Sequence, residues 1–595
     1  MMSQSSKIQT GLCFLLFLLP FVILDDPRTQ VIFSPKGSIR GAESKTRDVF
    51  QYSLRYAQPP VGQLRWRDPL PVNRWNGIFD GTNAPPLCPQ PNIPSQQSFS
   101  EDCLYYTVYS PVNRGGKLPI FVWLHGGSFV QGGATNYGLD GSALAGKSNM
   151  VVVVVQYRLG LLGFLKGSLA RTNPPISGNY AVKDVITALN SIKELADTFG
   201  GDRNSITLAG QSSGAEMIKT LLVTRSASDL FQRAILHSAP LNYGDHSVKT
   251  ADAIGAIAIP LFNCQDDCYR SYLDVDTILE VQNALMDQLP NRLPEVAASE
   301  PFRPFVDNAL ITTDFMRAIN SPGSRDLYLG SRQIIFTTVK DEAAPTIEYR
   351  AKDLKSIGQI PLLINAALGS LDPNRSSAVQ SSHVYSRELG FELIFRNRIQ
   401  AAKETLLLFG SDYIWTCANQ QVAVNLTRNF PPPGGNNTIW LAEFDLGIPY
   451  PSTQNIPLCR GKVCHEDDIL AVFGTPKDYS GFLSYSQRKL ITEVGKRWAA
   501  FAASGSPNLD GYATWSPVAN GDELNLLRFG ETFGKITPDQ RPWACSESDG
   551  FWGTKGKFNS LKIQAQRLMP LFPFFLYMTP SITVRFDSQI TSGSS

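Results

Sequence analysis

Six apolar runs recur along the chain without polar alternation: Leu118–Leu124 (LPIFVWL), Met150–Gln156 (MVVVVVQ), Ser205–Ala209 (SITLA), Ala234–His237 (AILH), Gln333–Thr338 (QIIFTT) and Thr438–Phe444 (TIWLAEF). Short continuous runs of this kind predict strands buried on both faces. Between them the pattern changes to a helical period. Val182, Val185, Leu189, Ile192, Leu195 and Phe199 fall on one stripe of residues 182–199, which stops at Gly200-Gly201. A second helix is expected over Ala215–Leu222, directly after a turn at Ser212. Strands alternating with helices predict a large, mainly parallel sheet flanked by helices. In such sheets ligands bind beyond the carboxyl ends of the strands.

Composition narrows the class without changing the picture. The chain has 595 residues, 43% hydrophobic and 18% charged, with a formal net charge of +2. That balance excludes a disordered chain and offers no basic excess for nucleic acid. No repeat of the length used by solenoids or propellers is present. At roughly 150 residues per domain the length would suggest about four domains.

The ends and the cysteines bear on compartment. Lys7 precedes the apolar run Leu12–Leu24, which stops at Asp25-Asp26. Its length suits a signal peptide over residues 1–24 and falls short of the roughly 20 residues of a membrane span. The run Leu568–Met578 is interrupted by prolines and followed by a polar tail, so residues 554–595 read as an appendage and no stable membrane span is expected. Of nine cysteines, Cys13 lies in the leader, leaving an even eight. With the sequons at Asn374, Asn425 and Asn436, they predict a secreted, disulfide-bonded glycoprotein. Spacing places Cys264 near Cys268 and Cys459 near Cys464, and lets Cys88 and Cys103 close one loop. No spacing suits a metal site.

The chemistry begins at Gly210-Gln211-Ser212-Ser213-Gly214, a G-x-S-x-G turn between a strand and a helix. A turn this tight needs flanking glycines, and it exposes the serine hydroxyl at the start of a helix whose amides face developing negative charge. Serine needs a base, and the chain has five histidines. In the order serine, acid, histidine, His125 is excluded. His237 reads as a packed strand-end residue, and His246 and His383 as solvated loop residues. His465, between Cys464 and the block Asp468–Gly474, suits a fixed loop at the top edge of the sheet. For the acid, either Asp341 or Glu342 suits the spacing after Gln333–Thr338. His125-Gly126-Gly127-Ser128 after a strand adds converging amides for an oxyanion.

These motifs make the chain resemble the type-B carboxylesterase family over about Val31–Trp552. Further blocks carry the resemblance: Gly37-Ser-Ile-Arg-Gly41, Tyr56–Trp66, Glu101-Asp-Cys-Leu-Tyr105, Phe199-Gly-Gly-Asp202 and Pro304-Phe-Val-Asp307. The resemblance implies an α/β-hydrolase fold, so residues 27–553 are expected to form one domain with insertions. It implies Ser212 as nucleophile, Glu342 as acid, His465 as base, and the amides of Gly127, Ser128 and Ser213 as the oxyanion hole. The family's disulfides map to Cys88–Cys103, Cys264–Cys268 and Cys417–Cys545, which leaves Cys459 and Cys464 to each other. Its buried ion pairs map to Arg65–Glu101 and Arg158–Asp184. The chain departs from the family at Gln211, usually Glu; at Ser213, usually Ala; at Ser128, usually Gly; and at Ala343, usually Gly. The Cys88–Cys103 loop also lacks the Trp with which cholinesterases hold a quaternary ammonium.

The expectation is therefore a secreted serine hydrolase of uncharged carboxylic esters, with a small-molecule ester as its partner and neither a metal nor an organic cofactor. A lipase or sterol esterase is the alternative, and an inactive adhesion or storage relative a further one.

Overall fold

The computed structural model describes residues 28–545 apart from 92–96, 113–115, 168–174, 264–272, 294–295, 297–299, 322–327, 329–331, 357–358, 361–363, 365–384, 386–397, 431–437, 477–480, 519–523, 532–534 and 538–541. The expected leader, the C-terminal appendage, the Cys264–Cys268 pair, Asn374, Asn436 and His383 lie outside the described residues.

A 13-stranded sheet organises the domain. Its centre is parallel, in the spatial order Val151–Val155, Leu118–Leu124, Gly201–Gln211, Arg233–His237, Gln333–Val339, Thr438–Phe444 and Leu526–Phe529. Antiparallel strands extend one edge through Tyr105–Pro111, Val49–Arg55, Gly37–Glu43 and Thr29–Ser34, and Lys535–Thr537 closes the other. The six apolar runs are all strands: Leu118–Leu124 and Thr438–Phe444 coincide with their runs, and Ser205–Ala209 lies inside the longer strand Gly201–Gln211.

Burial on both faces explains why these runs do not alternate. On one face Ile120, Val122, Val153, Val155, Leu208 and Leu236 pack under the helices Tyr180–Leu195 and Ser213–Leu222. On the other, Phe121, Trp123, Val152, Val154, Ala209 and Ile235 pack against Tyr485–Ser504. That last helix starts with a capping box, in which Ser484 and Gln487 satisfy each other's backbone amides. The helical stripe at 182–199 is split: an α-helix over Tyr180–Leu195 continues as a 3₁₀ turn over Ala196–Phe199 and ends at Gly200.

Two buried ion pairs lock the first half of the chain. Arg65 donates from Nε and Nη2 to Glu101, both at 2.6 Å. Arg158 forks onto Asp184 at 2.8 and 2.7 Å. Disulfides join Cys88 to Cys103, Cys417 to Cys545 and Cys459 to Cys464. Among the described residues no helix is long and apolar enough to cross a membrane.

Asn425 lies inside the helix Cys417–Asn429, is 6% exposed, and donates from Nδ2 to Asn320 Oδ1 at 2.7 Å. The side-chain amide of this sequon is thus buried and engaged in the folded protein.

Candidate active site

The strand Gly201–Gln211 delivers Ser212 to the carboxyl edge of the sheet. Ser212 has φ 55° and ψ −124°, outside the helical and extended regions, and the helix Ser213–Leu222 begins at the next residue. Its N–H donates to His237 O at 2.9 Å, which ties the strained turn to the neighbouring strand. The flanking glycines are dictated by contact. A Cβ on Gly210 would lie 2.7 Å from the Gly214 carbonyl carbon, and one on Gly214 would overlap the carbonyl oxygen of Leu124.

The second turn follows Leu118–Leu124 and lies against the first. A Cβ on Gly126 would be 2.6 Å from Gln211 Oε1 and 3.2 Å from Ser212 Cβ. Gly127, Ser128 and Phe129 have φ 111°, 56° and 57°. The carbonyl of Gly127 accepts from Val130 and Gln131, at 3.0 Å each, and the Phe129 carbonyl from Gly160 at 2.7 Å, which fixes the turn. Its first residue is held from outside: Tyr157 Oη donates to His125 O at 2.7 Å, and the two rings stack at 4.4 Å. Burial pushes the His125 pKa down to about 4, so the imidazole is neutral.

The third element is the loop after Cys464. His465 Nδ1 faces Glu342 Oε2 at 2.5 Å, with both side chains buried. The other oxygen, Oε1, accepts from the Val339 amide at 2.9 Å. A carboxylate facing Nδ1 fixes the tautomer with its lone pair on Nε2, and Nε2 has no hydrogen-bond partner among the described residues. Burial works to lower the His465 pKa, but the charge and hydrogen bond of Glu342, helped by Glu466 and Asp468, raise it above the ordinary value. Trp415 walls the imidazole, ring to ring at 5.5 Å, and its indole donates to Ser238 O at 3.0 Å.

Asp341 and Glu342 point in different directions, and Glu342 is the one that faces His465. Asp341 turns to the histidine loop's backbone: its amide donates to Val463 O at 2.9 Å, and Oδ2 accepts from Val463 N at 3.1 Å. These bonds and the Cys459–Cys464 disulfide brace the chain on either side of the Glu342–His465 pair.

The other histidines divide. His237 is packed, as expected at a strand end, with Nδ1 2.7 Å from Asp468 Oδ2 and Nε2 accepting from Trp498 Nε1 at 3.2 Å. His246, expected to be solvated, is instead buried with Nε2 2.9 Å from Glu300 O, and burial followed by the nearby Arg303 charge drives its pKa down to about 3. Around it lies a set of buried charges, Glu216, Lys219, Glu300 and Arg303, that the sequence pattern did not reveal. Their only local sign was Glu216, one helical turn after Ser212.

A strained serine between two glycines, a glycine turn against it and a buried histidine–carboxylate pair are features of acyl-transfer sites. Residues 28–542 match the Carboxylesterase family. The chain belongs to that family. A medium-chain fatty acyl-CoA hydrolase precursor of Anas platyrhynchos is 30% identical, over 82% of this chain and 87% of that protein. A protein of Dictyostelium discoideum named crystal protein is 33% identical, over 82% of this chain and 86% of that protein. The solved structure of PNB esterase superposes with a TM-score of 0.67, covering 86% of this chain and 98% of that one. At 23% identity the last comparison speaks for the α/β-hydrolase fold alone. As a member of this family the chain is a carboxylic ester hydrolase.

Proposed function

We propose that the protein is a serine esterase of the secretory pathway that works through an acyl-enzyme on uncharged carboxylic esters. His465 Nε2 takes the proton of Ser212 as Oγ attacks the ester carbonyl, and the oxyanion is held by the amides of Gly127, Ser128 and Ser213. The C–O bond to the alcohol breaks, and the same proton passes from His465 to the leaving oxygen. Water then repeats the sequence and frees the acid. Glu342 holds the imidazole and balances its charge while protonated. The observation that carries this reading is the buried His465–Glu342 contact of 2.5 Å, on a chain that also strains Ser212 into φ 55°.

Gln211 and the Cys88–Cys103 loop support uncharged substrates. Gln211 places a neutral amide, fully buried, beside the serine, and the loop offers no Trp for cation–π attraction. The disulfides support an oxidising compartment. Acyl length is the open variable, and the likeness to a medium-chain acyl-CoA hydrolase argues for including thioesters. A panel of p-nitrophenyl esters from acetate to palmitate, with matching acyl-CoA thioesters, tests the reading. Hydrolysis of short and medium esters that vanishes in Ser212→Ala is expected. A preference for palmitate that appears only above its solubility limit would make the protein a lipase.

A second reading is a catalytically inactive relative of the family, and purified protein inert toward the whole panel would favour it.

A further inference from the structure

The esterase steps use one histidine, His465, and leave His237 without a task. Yet His237 stands between the two turns that those steps must bring together. It is the last residue of the strand Arg233–His237 and pairs with Gln211, the residue before the nucleophile. Its carbonyl accepts the amide of Ser212 at 2.9 Å. Its ring reaches into the histidine loop, where Nδ1 lies 2.7 Å from Oδ2 of Asp468, three residues after His465. The next residue, Ser238, accepts at its carbonyl the indole N–H of Trp415, the wall of the His465 imidazole, at 3.0 Å. The serine turn, the histidine loop and the wall of the imidazole are thus all tied to two consecutive residues at one strand end.

The hydrogen bonds fix the state of the His237 ring. Trp498 Nε1 can only donate, so Nε2 of His237, 3.2 Å away, carries a lone pair. The proton is therefore on Nδ1 and the ring is neutral. That proton goes to Asp468, with Thr337 Oγ1 beside it at 3.1 Å. Trp123, Trp498 and Phe444 close around the ring, with centroids at 5.4, 5.6 and 6.3 Å.

Asp468 has little else to hold it. Its side chain is fully buried, and Oδ1 has no hydrogen-bond partner among the described residues. A buried carboxylate with one strong donor is left almost bare when that donor is removed, which costs more than the bond itself contributes. The loop that carries His465 is therefore fastened to the serine strand's neighbour through this contact.

We propose that His237 is a positioning residue for the catalytic pair: its neutral ring, donating from Nδ1 to Asp468, keeps the histidine loop in register with the Ser212 turn, whose amide the same residue holds by its carbonyl. The inference rests on the esterase reading above. His237 touches neither the substrate nor a proton in transfer. It acts on His465 through Asp468, so its loss falls on kcat and leaves KM in place.

Two substitutions separate the ring's contacts. Counted in bonds from Cβ, an Asn amide ends where Nδ1 lies and a Gln amide ends where Nε2 lies. His237→Asn keeps a donor for Asp468 and loses the acceptor for Trp498, and His237→Gln does the reverse. Steady-state hydrolysis of a p-nitrophenyl ester is the readout. His237→Gln is expected to lower kcat about 100-fold with KM within about twofold. His237→Asn is expected to recover kcat to within about fivefold of wild type. Asp468→Leu breaks the same contact from the other side, so it should lower kcat as much as His237→Gln, and the double variant no further. Equal losses in the Asn and Gln variants, losses that fall on KM, or additive losses in the double variant overturn the proposal. If the variants do not fold, nitrogen-15 spectra of the wild-type imidazoles decide it, with His237 assigned through its contacts to the indoles of Trp123 and Trp498. A ring protonated at Nδ1 and bare at Nε2 is expected, and a ring protonated at Nε2 overturns the proposal. Hydrolysis that survives Ser212→Ala defeats the esterase reading instead, so the two failures are distinguishable.

Discussion

Glu342 reaches His465 across 123 residues of sequence, and the two side chains meet at 2.5 Å in the interior. The contact has a consequence for pH. A histidine acts as a base only when neutral, and Glu342 holds the proton on His465 to a higher pH than an ordinary imidazole would. The acid limb of kcat/KM in the wild-type protein should therefore have its midpoint above about 6.5. Glu342→Gln should lower kcat by about 10,000-fold, because the imidazole loses its tautomer and its counter-charge. Burial is then opposed only by Glu466 and Asp468, so the residual activity should titrate at lower pH than wild type. A residual acid limb that stays in place would show that Glu342 does not set the His465 pKa.

The glycines of the elbow differ sharply from glycines elsewhere. A methyl group at Gly214 overlaps the backbone of Leu124, which cannot move without dragging the oxyanion turn. Gly214→Ala should cost at least about 3 kcal/mol and abolish activity in any protein that folds. Gly495, inside the helix Tyr485–Ser504, would place a methyl group in open space. Gly495→Ala should be fully active and more stable by up to about 1 kcal/mol. Thermal unfolding midpoints of the two variants check the contrast.

The disulfides should separate stability from activity. Cys417–Cys545 closes a span of 128 residues and Cys459–Cys464 one of 5. Loop-closure entropy assigns about 5 kcal/mol to the first and about 2 kcal/mol to the second. The short loop, however, ends at the residue before His465. Replacing Cys459 and Cys464 by Ala should lower kcat with a small change in denaturant midpoint. Replacing Cys417 and Cys545 should do the reverse.

The sheet was legible because its strands are buried on both faces. Val151–Val155 and Leu118–Leu124 contain no polar residue. Ser212 was legible because Gly210 and Gly214 are sterically required, so the chemistry is written locally. Glu342 was not separable from Asp341 by spacing, since both follow the same strand; the family resemblance implied Glu342, and in the fold it is the carboxylate that faces His465. His246 was misread because its neighbours in sequence are polar, whereas the groups that bury it, including Glu300 and Arg303, come from more than 50 residues away. The Glu216–Arg303 contact spans 87 residues and leaves no periodic trace.

Ser212 is proposed to carry the acyl group. The most direct measurement of this is intact-protein and peptide mass spectrometry after reaction with a fluorophosphonate, which forms a stable analogue of the acyl-enzyme. One adduct per chain is expected, on the peptide containing Ser212, with parallel loss of ester hydrolysis and no adduct in Ser212→Ala. Stoichiometric labelling at another residue, with hydrolysis retained in Ser212→Ala, would contradict it.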